Sequence, residues 1–373
     1  MPVNVLLLAH SLGEGGSERQ LAQTAKRLAR DRFQPHVASV AGGFNESILR
    51  QAAVPVWRLP LRSFADWSAV ESARQLRDYV QRNRIQLVHP FDFTLTVFAV
   101  PTARTCPGVV ALASQRCFLE LVPTKYRLPL RAALRLADGV VVNSRALREH
   151  LLCERAARPE RIHVCPNGVD TEAFRPHRRQ RLPELREASV VIGTVSVLRP
   201  EKNLGLLLEA FAQLAPDYPN ARLLIAGDGP ERRPLQERAK ALGIAKRTVF
   251  HPRTPDVAPV LASIDIFVCS SLTEGLPNAV MEAMACGCCV VASAVGGCPE
   301  LVTHEKTGLL FRSNDLEDLV GQLRRAIAEE PLRQATSQAA AAFIQQHYSL
   351  EKAVRQMEQI YEEHLLRRDR NSA

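Results

Sequence analysis

Two glutamates flank a short turn in the segment TEGLPNAVMEAMACG. Glu274 precedes the Gly-Leu-Pro turn, and Glu282 follows eight positions later, inside a stretch with helical character. With Asn278 as the expected N-cap, Glu282 lies about one turn into the helix and Glu274 lies in the loop before it. Ionised carboxylates accept strong hydrogen bonds from sugar hydroxyls, and the amides of a helix start suit a phosphate. The alternative is that Glu282 complements the helix dipole and that Glu274 is a surface charge.

A second group of charges lies in the segment VSVLRPEKNLG, which follows a predicted strand. Asn203 is the expected N-cap of the next helix, and Lys202 directly precedes it. A cation at a helix start opposes the helix dipole, so its position is favourable when an anion such as a phosphate lies between the cation and the amides. Arg199 is close enough in the loop to contact the same anion. The alternative is a solvated charged loop.

The third candidate is the glycine-rich segment SLGEGGSERQ near the N-terminus. Gly15 and Gly16 lie between a predicted strand and a predicted helix, where backbone amides can approach an anion. Ser17 and Gln20 have the spacing of a capping box. The dinucleotide-binding fingerprint GxGxxG is absent, because its third glycine would fall on Glu18. The alternative is a tight turn without a ligand.

The elements that must position these residues alternate regularly between strands and helices. VNVLLLAHS has the continuous apolar character of a parallel strand that is buried on both faces, and similar runs recur with helical patterns between them. A polar, basic, proline-containing stretch at 174–188 interrupts this rhythm and predicts a linker. We expect two doubly wound α/β domains, residues 1–180 and 181–348, followed by a last helix over 349–368.

The size and charge of the chain agree with two domains. A chain of 373 residues with 46% hydrophobic residues can bury two cores of ordinary size. Residues 1–186 carry 28 Lys and Arg against 16 Asp and Glu, whereas the remaining residues carry 20 against 23. The basic half predicts an anionic partner: a nucleic acid, a membrane surface or a phosphorylated ligand. Aromatic residues make up only 5% and do not interleave with the arginines, so nucleic acid is the least favoured of the three.

The cysteines and the N-terminus predict a cytoplasmic protein. No run of about 18 apolar residues predicts a membrane span, and the first residues resemble a strand rather than a signal peptide. The nine scattered cysteines are then expected to be reduced thiols. Cys286 and Cys289 have CxxC spacing, but no second pair at a zinc-like distance accompanies them. Buried thiols are the favoured interpretation, and a metal or redox site is the alternative.

These segments together resemble a known family. The segment around Glu274 and Glu282 is similar to the E-x7-E motif of glycosyltransferase family 4, the "group 1" retaining glycosyltransferases with the GT-B fold. The segments SLGEGGSERQ, VCPNGVD, LRPEKN, LLIAGDGP, VGGCPELV and KTGLLF follow in the order of that family. The resemblance covers nearly the whole chain.

The resemblance implies two Rossmann-like domains that face each other across a cleft, with the last helix crossing back to the N-terminal domain. A nucleoside-diphosphate sugar would bind mainly to the C-terminal domain, and no metal cofactor is expected. Glu282 would hold the ribose, Glu274 would contact the transferred sugar, and Lys202 would hold the diphosphate leaving group. The backbone amides of four residues would also contact the donor: Gly16, Gly275, Leu276 and Asn278.

Two departures from the family pattern concern charged residues. The family commonly has an arginine five positions before the lysine, where this chain has Val197. Arg199 is the candidate to supply that charge from a different position. Many members also have an active-site histidine in the N-terminal domain, where this chain reads SQRCF. Arg116 is expected to bind the donor, and whether it takes the place of that histidine does not follow from the sequence. His89 and His10 are expected to be structural loop residues.

The basic half contains an amphipathic helix, KYRLPLRAALRLA. Arg127, Arg131 and Arg135 have i, i+4, i+8 spacing, which predicts a basic stripe. Such a stripe is suited to binding the anionic inner face of the cell membrane, close to a glycan or lipid-linked acceptor. The alternative is a helix packed on its own domain with a solvated arginine face. The resemblance implies a role in bacterial polysaccharide, lipopolysaccharide or glycolipid assembly.

Two other functions are compatible with the same motifs. One is a nucleotide-sugar epimerase or hydrolase of the GT-B fold, which acts on the donor without an acceptor. The other is a non-catalytic sugar-nucleotide-binding subunit, which the departures at Val197 and Arg116 would favour. The donor base, the sugar, the acceptor and the oligomeric state do not follow from the sequence.

Overall fold

The computed structural model of the protein describes residues 2–13, 15–64, 66–176 and 181–372. The chain forms two compact units. Unit 1 comprises the residues up to Gly168 together with those from Leu350 onward, and unit 2 comprises Val169–Ser349. Each unit is a parallel sheet covered by helices, as the alternating pattern predicts.

Unit 1 is built on a seven-stranded sheet in the order β3-β2-β1-β4-β5-β6-β7, with every neighbouring pair parallel. The strand predicted from VNVLLLAHS is confirmed with the same bounds. The strands are β1 (Val3–Ser11), β2 (Phe33–Ala41), β3 (Val56–Arg58), β4 (Ile85–Pro90), β5 (Val110–Gln115), β6 (Gly139–Val142) and β7 (Ile162–Val164).

Helices cover both faces of this sheet, which explains why its strands are apolar on both sides. The helices between the strands are α1 (Gly16–Arg27), α2 (Asn45–Gln51), α3 (Trp67–Arg82), α4 (Phe93–Ala103), α5 (Thr124–Leu136) and α6 (Arg145–Cys153). Asp66, Asp92 and Ser144 cap α3, α4 and α6 by accepting a hydrogen bond from a backbone amide in the first turn.

Unit 2 repeats the architecture with a six-stranded parallel sheet in the order β10-β9-β8-β11-β12-β13. The strands are β8 (Val190–Val195), β9 (Ala221–Ala226), β10 (Thr248–His251), β11 (Ile266–Cys269), β12 (Cys289–Ser293) and β13 (Leu309–Phe311). The helices are α7 (Leu204–Leu214), α8 (Arg232–Ala241), α9 (Ala258–Ala262), α10 (Asn278–Ala285), α11 (Cys298–Leu301), α12 (Leu316–Ala328) and α13 (Glu330–His347).

The boundary between the units differs from the predicted one at residue 180. Val169 pairs with Ser349, and its amide donates to the carbonyl oxygen of Tyr348 at 2.9 Å. Phe174 packs against the core of unit 2. These contacts fix residues that the proline-rich composition assigned to a linker. Residues 177–180 of that predicted linker lie outside the described residues.

The last helix, α14 (Leu350–Ser372), packs on unit 1. Glu358 is buried; it accepts a hydrogen bond from the Ala29 amide at 2.7 Å and forms an ion pair with Arg32. The Tyr361 hydroxyl forms a 2.8 Å hydrogen bond with the Nδ1 atom of His89. In the described part of the chain, no helix is both long enough and apolar enough to cross a membrane.

Candidate active site

Lys202 and Glu274 follow two strands that are neighbours in the sheet of unit 2. Strand β8 pairs with β11 through Ile192 and Ile266, and the strand order reverses between them. Ligands of open α/β sheets bind beyond the carboxyl ends of the strands at this type of reversal. The loop after β8 carries Lys202, and the loop after β11 carries Glu274, so the topology brings these residues together.

The Glu274 carboxylate is held by three side chains that all contact one of its oxygens. The Lys202 Nζ atom lies 2.6 Å from Oε1, and the Ser271 hydroxyl donates to Oε1 at 2.7 Å. The Cys269 thiol lies 3.9 Å from the same oxygen. Among the contacts of the described residues, none engages Oε2. One carboxylate oxygen is therefore fixed, while the other is available to a ligand.

The charge of Lys202 is stabilised by this pairing. Desolvation alone would lower the pKa of the ammonium, since the side chain is only 24% exposed. The Glu274 carboxylate, together with the smaller effects of Cys269 and Glu201, more than offsets this desolvation, and the pKa of Lys202 lies above its ordinary value. Lys202 is thus a permanently charged group, partly shielded from water, next to a carboxylate that is 12% exposed.

The two loops are also joined through their backbones. The Ser270 hydroxyl donates to the carbonyl oxygen of Lys202 at 2.9 Å, and the Leu272 amide donates to the carbonyl oxygen of Glu201 at 2.8 Å. Side chains held by such supporting contacts keep a fixed geometry, which is what charge stabilisation in a transition state requires.

Three glycines allow neighbouring loops to approach this pair. A Cβ atom on Gly297 would collide with the carbonyl oxygen of Gly275, in the loop that carries Glu274. Gly227 and Gly229 have φ values of 135° and 155°, and a Cβ on either would collide with the backbone of the loop after β8. The segments LLIAGDGP and VGGCPELV therefore serve as supports for the loops that carry Lys202 and Glu274.

Helix α10 begins at Asn278, and Pro277 occupies the N-cap position. The prediction that Asn278 caps this helix is therefore wrong by one position, and no side-chain hydrogen bond caps its start in the described structure. Glu282 lies at the start of the second turn and is only 5% exposed. With burial as the main cause, its charge contributes to raising the pKa of the Cys286 thiol to about 12. The Leu276 side chain is buried.

Among the contacts of the described residues, none joins the Arg199 side chain to Glu274. Its side chain is 59% exposed and lies 3.9 Å from the Glu201 carboxylate. Asn203 occupies the N-cap position of α7 but makes no capping bond; its φ is 48°, and its side-chain amide donates to Asn314 at 3.1 Å. The predicted cap is thus wrong in its mechanism. Asparagine tolerates this left-handed conformation, which turns the chain from Lys202 into the helix.

The glycine-rich loop of unit 1 differs from the predicted capping box. Helix α1 begins at Gly16 with Gly15 in the N-cap position, so Ser17 lies inside the first turn and makes no capping bond. The Gln20 amide instead binds both backbone groups of Gly168, at 2.8 and 3.1 Å. The capping-box prediction missed the contact between Gln20 and Gly168 because the two residues are 148 positions apart in the sequence.

A carboxylate of the chain itself lies at the start of α1. The Ser11 hydroxyl donates to the Glu18 carboxylate at 3.2 Å, and a Cβ on Gly15 would collide with that carboxylate. The helix start predicted to bind an anion through Gly15 and Gly16 therefore has an acidic side chain beside it in this structure.

Arg116 directly follows β5 and lies among buried groups of unit 1. Its Nη1 donates to the Asn167 side-chain oxygen at 2.6 Å, and its guanidinium stacks on the Phe91 ring at 4.6 Å. Desolvation lowers the pKa of Arg116 to about 10. His89 is fully buried between Tyr361 and Ser114, with 2.8 Å hydrogen bonds to both hydroxyls, and burial holds its pKa well below the ordinary value. His89 is thus a structural residue.

The three arginines of α5 all contact their own unit. Arg127 donates to the carbonyl oxygens of residues 120 and 122, and Arg135 donates to that of residue 155. Arg131 forms an ion pair with Glu154. Leu128, in contrast, is 77% exposed. The helix has the predicted amphipathic pattern, but its arginines are not freely extended into solvent.

The CxxC segment packs as ordinary core. Cys286, Cys288 and Cys289 are free thiols, and Cys289 contacts the Thr336 hydroxyl on α13. Within the described ranges, no group of three or more His, Cys, Asp or Glu side chains could hold a metal ion.

Comparison with known proteins identifies the family. Residues 14–173 match the model described as Glycosyltransferase Family 4, and residues 178–343 match the model described as Glycosyl transferases group 1.

Several relatives match in sequence. The N-acetyl-alpha-D-glucosaminyl L-malate synthase of Bacillus anthracis is 31% identical over 213 residues, which cover 56% of this chain and 55% of the relative. The D-inositol 3-phosphate glycosyltransferase of Mycobacterium marinum is 36% identical over 48% of this chain and 40% of the relative. The sulfoquinovosyl transferase SQD2 of Arabidopsis thaliana is 30% identical over 57% of this chain and 42% of the relative. The chain spans about half the length of the curated relatives it matches.

Solved structures show the same fold. The Anabaena protein Alr3699/HepE in complex with UDP and glucose has a TM-score of 0.85 at 23% identity, covering 96% of this chain and 99% of that one. The sucrose-phosphate synthase of Thermosynechococcus elongatus has a TM-score of 0.83 at 20% identity, with 97% and 98% covered. The predicted two-domain α/β architecture of the GT-B type is confirmed. The chain belongs to the group 1, family 4 glycosyltransferases.

Proposed function

We propose that the chain is a retaining glycosyltransferase that moves a sugar from a nucleoside-diphosphate sugar to an acceptor. The observation that carries this proposal is the Lys202–Glu274 pair at the strand reversal of unit 2, with one carboxylate oxygen held and the other open. Unit 2 is then the donor-binding domain, and unit 1 is the acceptor-side domain.

Lys202 and the start of α10 stabilise the diphosphate. When the bond from the sugar to the diphosphate breaks, negative charge grows on the leaving phosphate, and a nearby ammonium lowers the free energy of that state. The start of α10 lacks a side-chain cap among the described residues, and in the proposal the amides of Gly275 and Asn278 contact the diphosphate there. Together these groups supply positive charge at the leaving phosphate.

The two glutamates have separate tasks in this proposal. Glu274 uses its open oxygen to accept a hydrogen bond from a hydroxyl of the transferred sugar and to stabilise positive charge on the sugar in the transition state. Glu282, buried in α10, accepts hydrogen bonds from the two hydroxyls of the ribose. Arg199 is exposed, and in the proposal it adds to the phosphate site only when a donor is bound.

The comparisons support a nucleotide-sugar donor. The HepE structures contain UDP with glucose and UDP-glucose, so a uridine nucleotide is the first donor to test. A further neighbour is WaaG, a glycosyltransferase involved in lipopolysaccharide biosynthesis, with a TM-score of 0.75 at 19% identity. These neighbours are compatible with a glycan or lipid-linked acceptor in polysaccharide, lipopolysaccharide or glycolipid assembly.

We also propose that unit 1 binds the inner face of the cell membrane peripherally, in the cytoplasm. The ring of Phe64 contacts that of Tyr126 at 5.8 Å, which places the segment before α3 next to α5. Two large apolar side chains that lie within three residues of Phe64 or Tyr126 in the sequence, Trp67 and Leu128, are 82% and 77% exposed. Arg127 and Arg135 donate to carbonyl oxygens, so their charge remains available to anionic lipids even though their side chains are anchored.

Calorimetry and turnover measurements test the catalytic proposal. Glu274→Gln should bind a nucleoside diphosphate about as tightly as the native protein, whereas release of nucleoside diphosphate from the donor sugar should slow about 10²–10³-fold. Donor turnover without an acceptor at the full rate would instead support the epimerase or hydrolase. Binding without any turnover would support the non-catalytic sugar-nucleotide-binding function.

A further inference from the structure

We propose that Arg116 anchors an anionic group of the acceptor, a phosphate or a carboxylate, at the carboxyl edge of the sheet in unit 1. This inference rests on the proposed function, because it assigns a chemical class to the acceptor of that reaction. It also changes the predicted role of Arg116, from donor binding to acceptor binding.

Among the described residues, Arg116 has no counterion. Its hydrogen bond to Asn167 and its stacking on Phe91 are contacts with neutral groups. Its nearest electrostatic neighbours, Cys165 and Tyr361, are themselves buried and neutral at physiological pH. No carboxylate pairs with Arg116 among the described residues. A desolvated cation without a partner is costly, so retaining one at a sheet edge indicates a site for an anion.

The unused hydrogen-bond donors of Arg116 lie along one edge of its guanidinium. Asn167 accepts from Nη1, and the Nε atom is buried without a hydrogen-bond partner. The edge of the guanidinium formed by Nε and Nη2 therefore remains for a ligand. This edge presents two parallel N–H groups, the geometry that carboxylates and phosphates bind with two hydrogen bonds.

Two buried polar side chains lie at the ends of neighbouring strands, β5 and β6. Gln115 is the last residue of β5, and Asn143 directly follows β6, the next strand in the sheet. The side-chain oxygens of both are buried and lack hydrogen-bond partners. Such groups favour a polar ligand, because an unpaired buried acceptor costs about 1–3 kcal/mol. Hydroxyl groups of an acceptor would supply the missing donors.

The donor diphosphate is the other source of the same chemistry. It is disfavoured because unit 2 already provides Lys202 and the start of α10 for a diphosphate. The part of the chain up to residue 186, which includes nearly all of unit 1, also carries the excess of basic residues. An anionic acceptor matches that charge.

Inorganic phosphate is the probe for this site. The full chain is titrated with phosphate in the presence of saturating UDP, and binding is followed through the NMR signals of the arginine Nε–Hε groups. Native protein should bind phosphate with a shift of the Arg116 signal. Arg116→Gln should weaken phosphate binding at least about tenfold, and Arg116→Lys should weaken it less, because lysine keeps the charge but loses the two-bond geometry.

Arg74→Gln is the matched control. Arg74 is an exposed arginine of unit 1 on α3, and its substitution should leave phosphate binding unchanged. Equal phosphate binding by native protein and both Arg116 variants would overturn the proposal. So would loss of UDP affinity in Arg116→Gln together with displacement of phosphate by UDP, because Arg116 would then belong to the donor site. If the native protein does not bind nucleoside diphosphates at all, the proposed function fails, whereas the phosphate titration still tests Arg116.

Discussion

The Nζ atom of Lys202 and the Oε1 atom of Glu274 are 2.6 Å apart, although the residues are 72 positions apart in the chain. Parallel neighbours β8 and β11 end at the same edge of the sheet, and their loops therefore meet there. The pair holds a charged ammonium close to where a diphosphate would bind. The Glu274 carboxylate therefore contributes to raising the pKa of Lys202.

Removal of the carboxylate charge should change the titration of Lys202. In Glu274→Gln the desolvation of the ammonium remains, but its attraction to the Glu274 carboxylate is lost, so the pKa of Lys202 should fall. ¹³C NMR of reductively methylated lysines measures this pKa, with Lys202→Arg to assign the signal. An unchanged Lys202 titration would show that the ion pair does not control its charge.

Two glycine substitutions should have opposite effects. Gly297→Ala introduces a Cβ that collides with the carbonyl oxygen of Gly275, so the loop that carries Glu274 must move. We expect weaker nucleotide binding and slower turnover. Gly321, inside α12, has no atom within 4 Å of an added Cβ, and Gly321→Ala should stabilise the fold by about 0.5–1 kcal/mol. Thermal unfolding and nucleotide binding of both variants provide the comparison, and equal behaviour of the two would refute the support role of Gly297.

The stability of unit 1 should decrease in mild acid because of two histidines. The Nε2 atoms of His163 and His364 are 2.9 Å apart, and burial together with the charge of His163 lowers the pKa of His364 to about 4. The neighbouring charges are Glu363, Arg367 and Asp138.

In the unfolded chain His364 binds a proton as the pH falls below its ordinary pKa of 6.5. In the folded chain it binds that proton only near pH 4. The contribution of His364 to stability is therefore complete above the ordinary pKa of this residue and is lost as the pH falls toward about 4. Between about pH 7 and pH 5 this loss amounts to about 2 kcal/mol. Denaturant unfolding at both pH values measures it, and His364→Gln should show a smaller loss. An equal loss in the variant would assign the acid sensitivity to other groups.

Membrane binding should depend more on apolar side chains than on arginines. Leu128→Ser on α5 and Trp67→Ser at the start of α3 remove exposed apolar area, and each should reduce co-sedimentation with anionic vesicles several-fold. Arg131→Gln is the control, because the charge of Arg131 is already neutralised by Glu154. Vesicle binding that persists in the double Leu128 and Trp67 variant would locate the contact elsewhere.

The alternation of apolar runs and helical patterns predicted most of the architecture. Strands buried on both faces leave continuous apolar segments, so β1 and the order of elements could be predicted from local sequence. Helix α13 could not be predicted in this way, because its buried residues form only a narrow stripe of Thr336, Ala340 and Ile344. An apolar stripe this narrow gives only a weak signal of an amphipathic helix.

The candidate site could be predicted only in part for a similar reason. Glu274 and Lys202 were recognisable because loops after strands carry the chemistry of α/β folds, and their residue types suit a phosphorylated sugar. The role of Ser271 and Cys269 in holding one oxygen of Glu274 depends on side-chain directions that spacing does not reveal. The contact of Gln20 with Gly168 likewise joins residues 148 positions apart, where local capping rules give the wrong answer.

Calorimetric titration of the native protein with UDP, GDP and ADP, repeated with Lys202→Met and Glu282→Ala, tests the central claim most directly. We expect that one of these nucleotides binds and that both substitutions weaken its binding by at least about tenfold, since each removes a charged contact worth about 1.5–3 kcal/mol. Arg74→Gln should bind as the native protein does. Unchanged affinity in both the Lys202 and the Glu282 variant would contradict the assignment of the donor site to the strand reversal of unit 2.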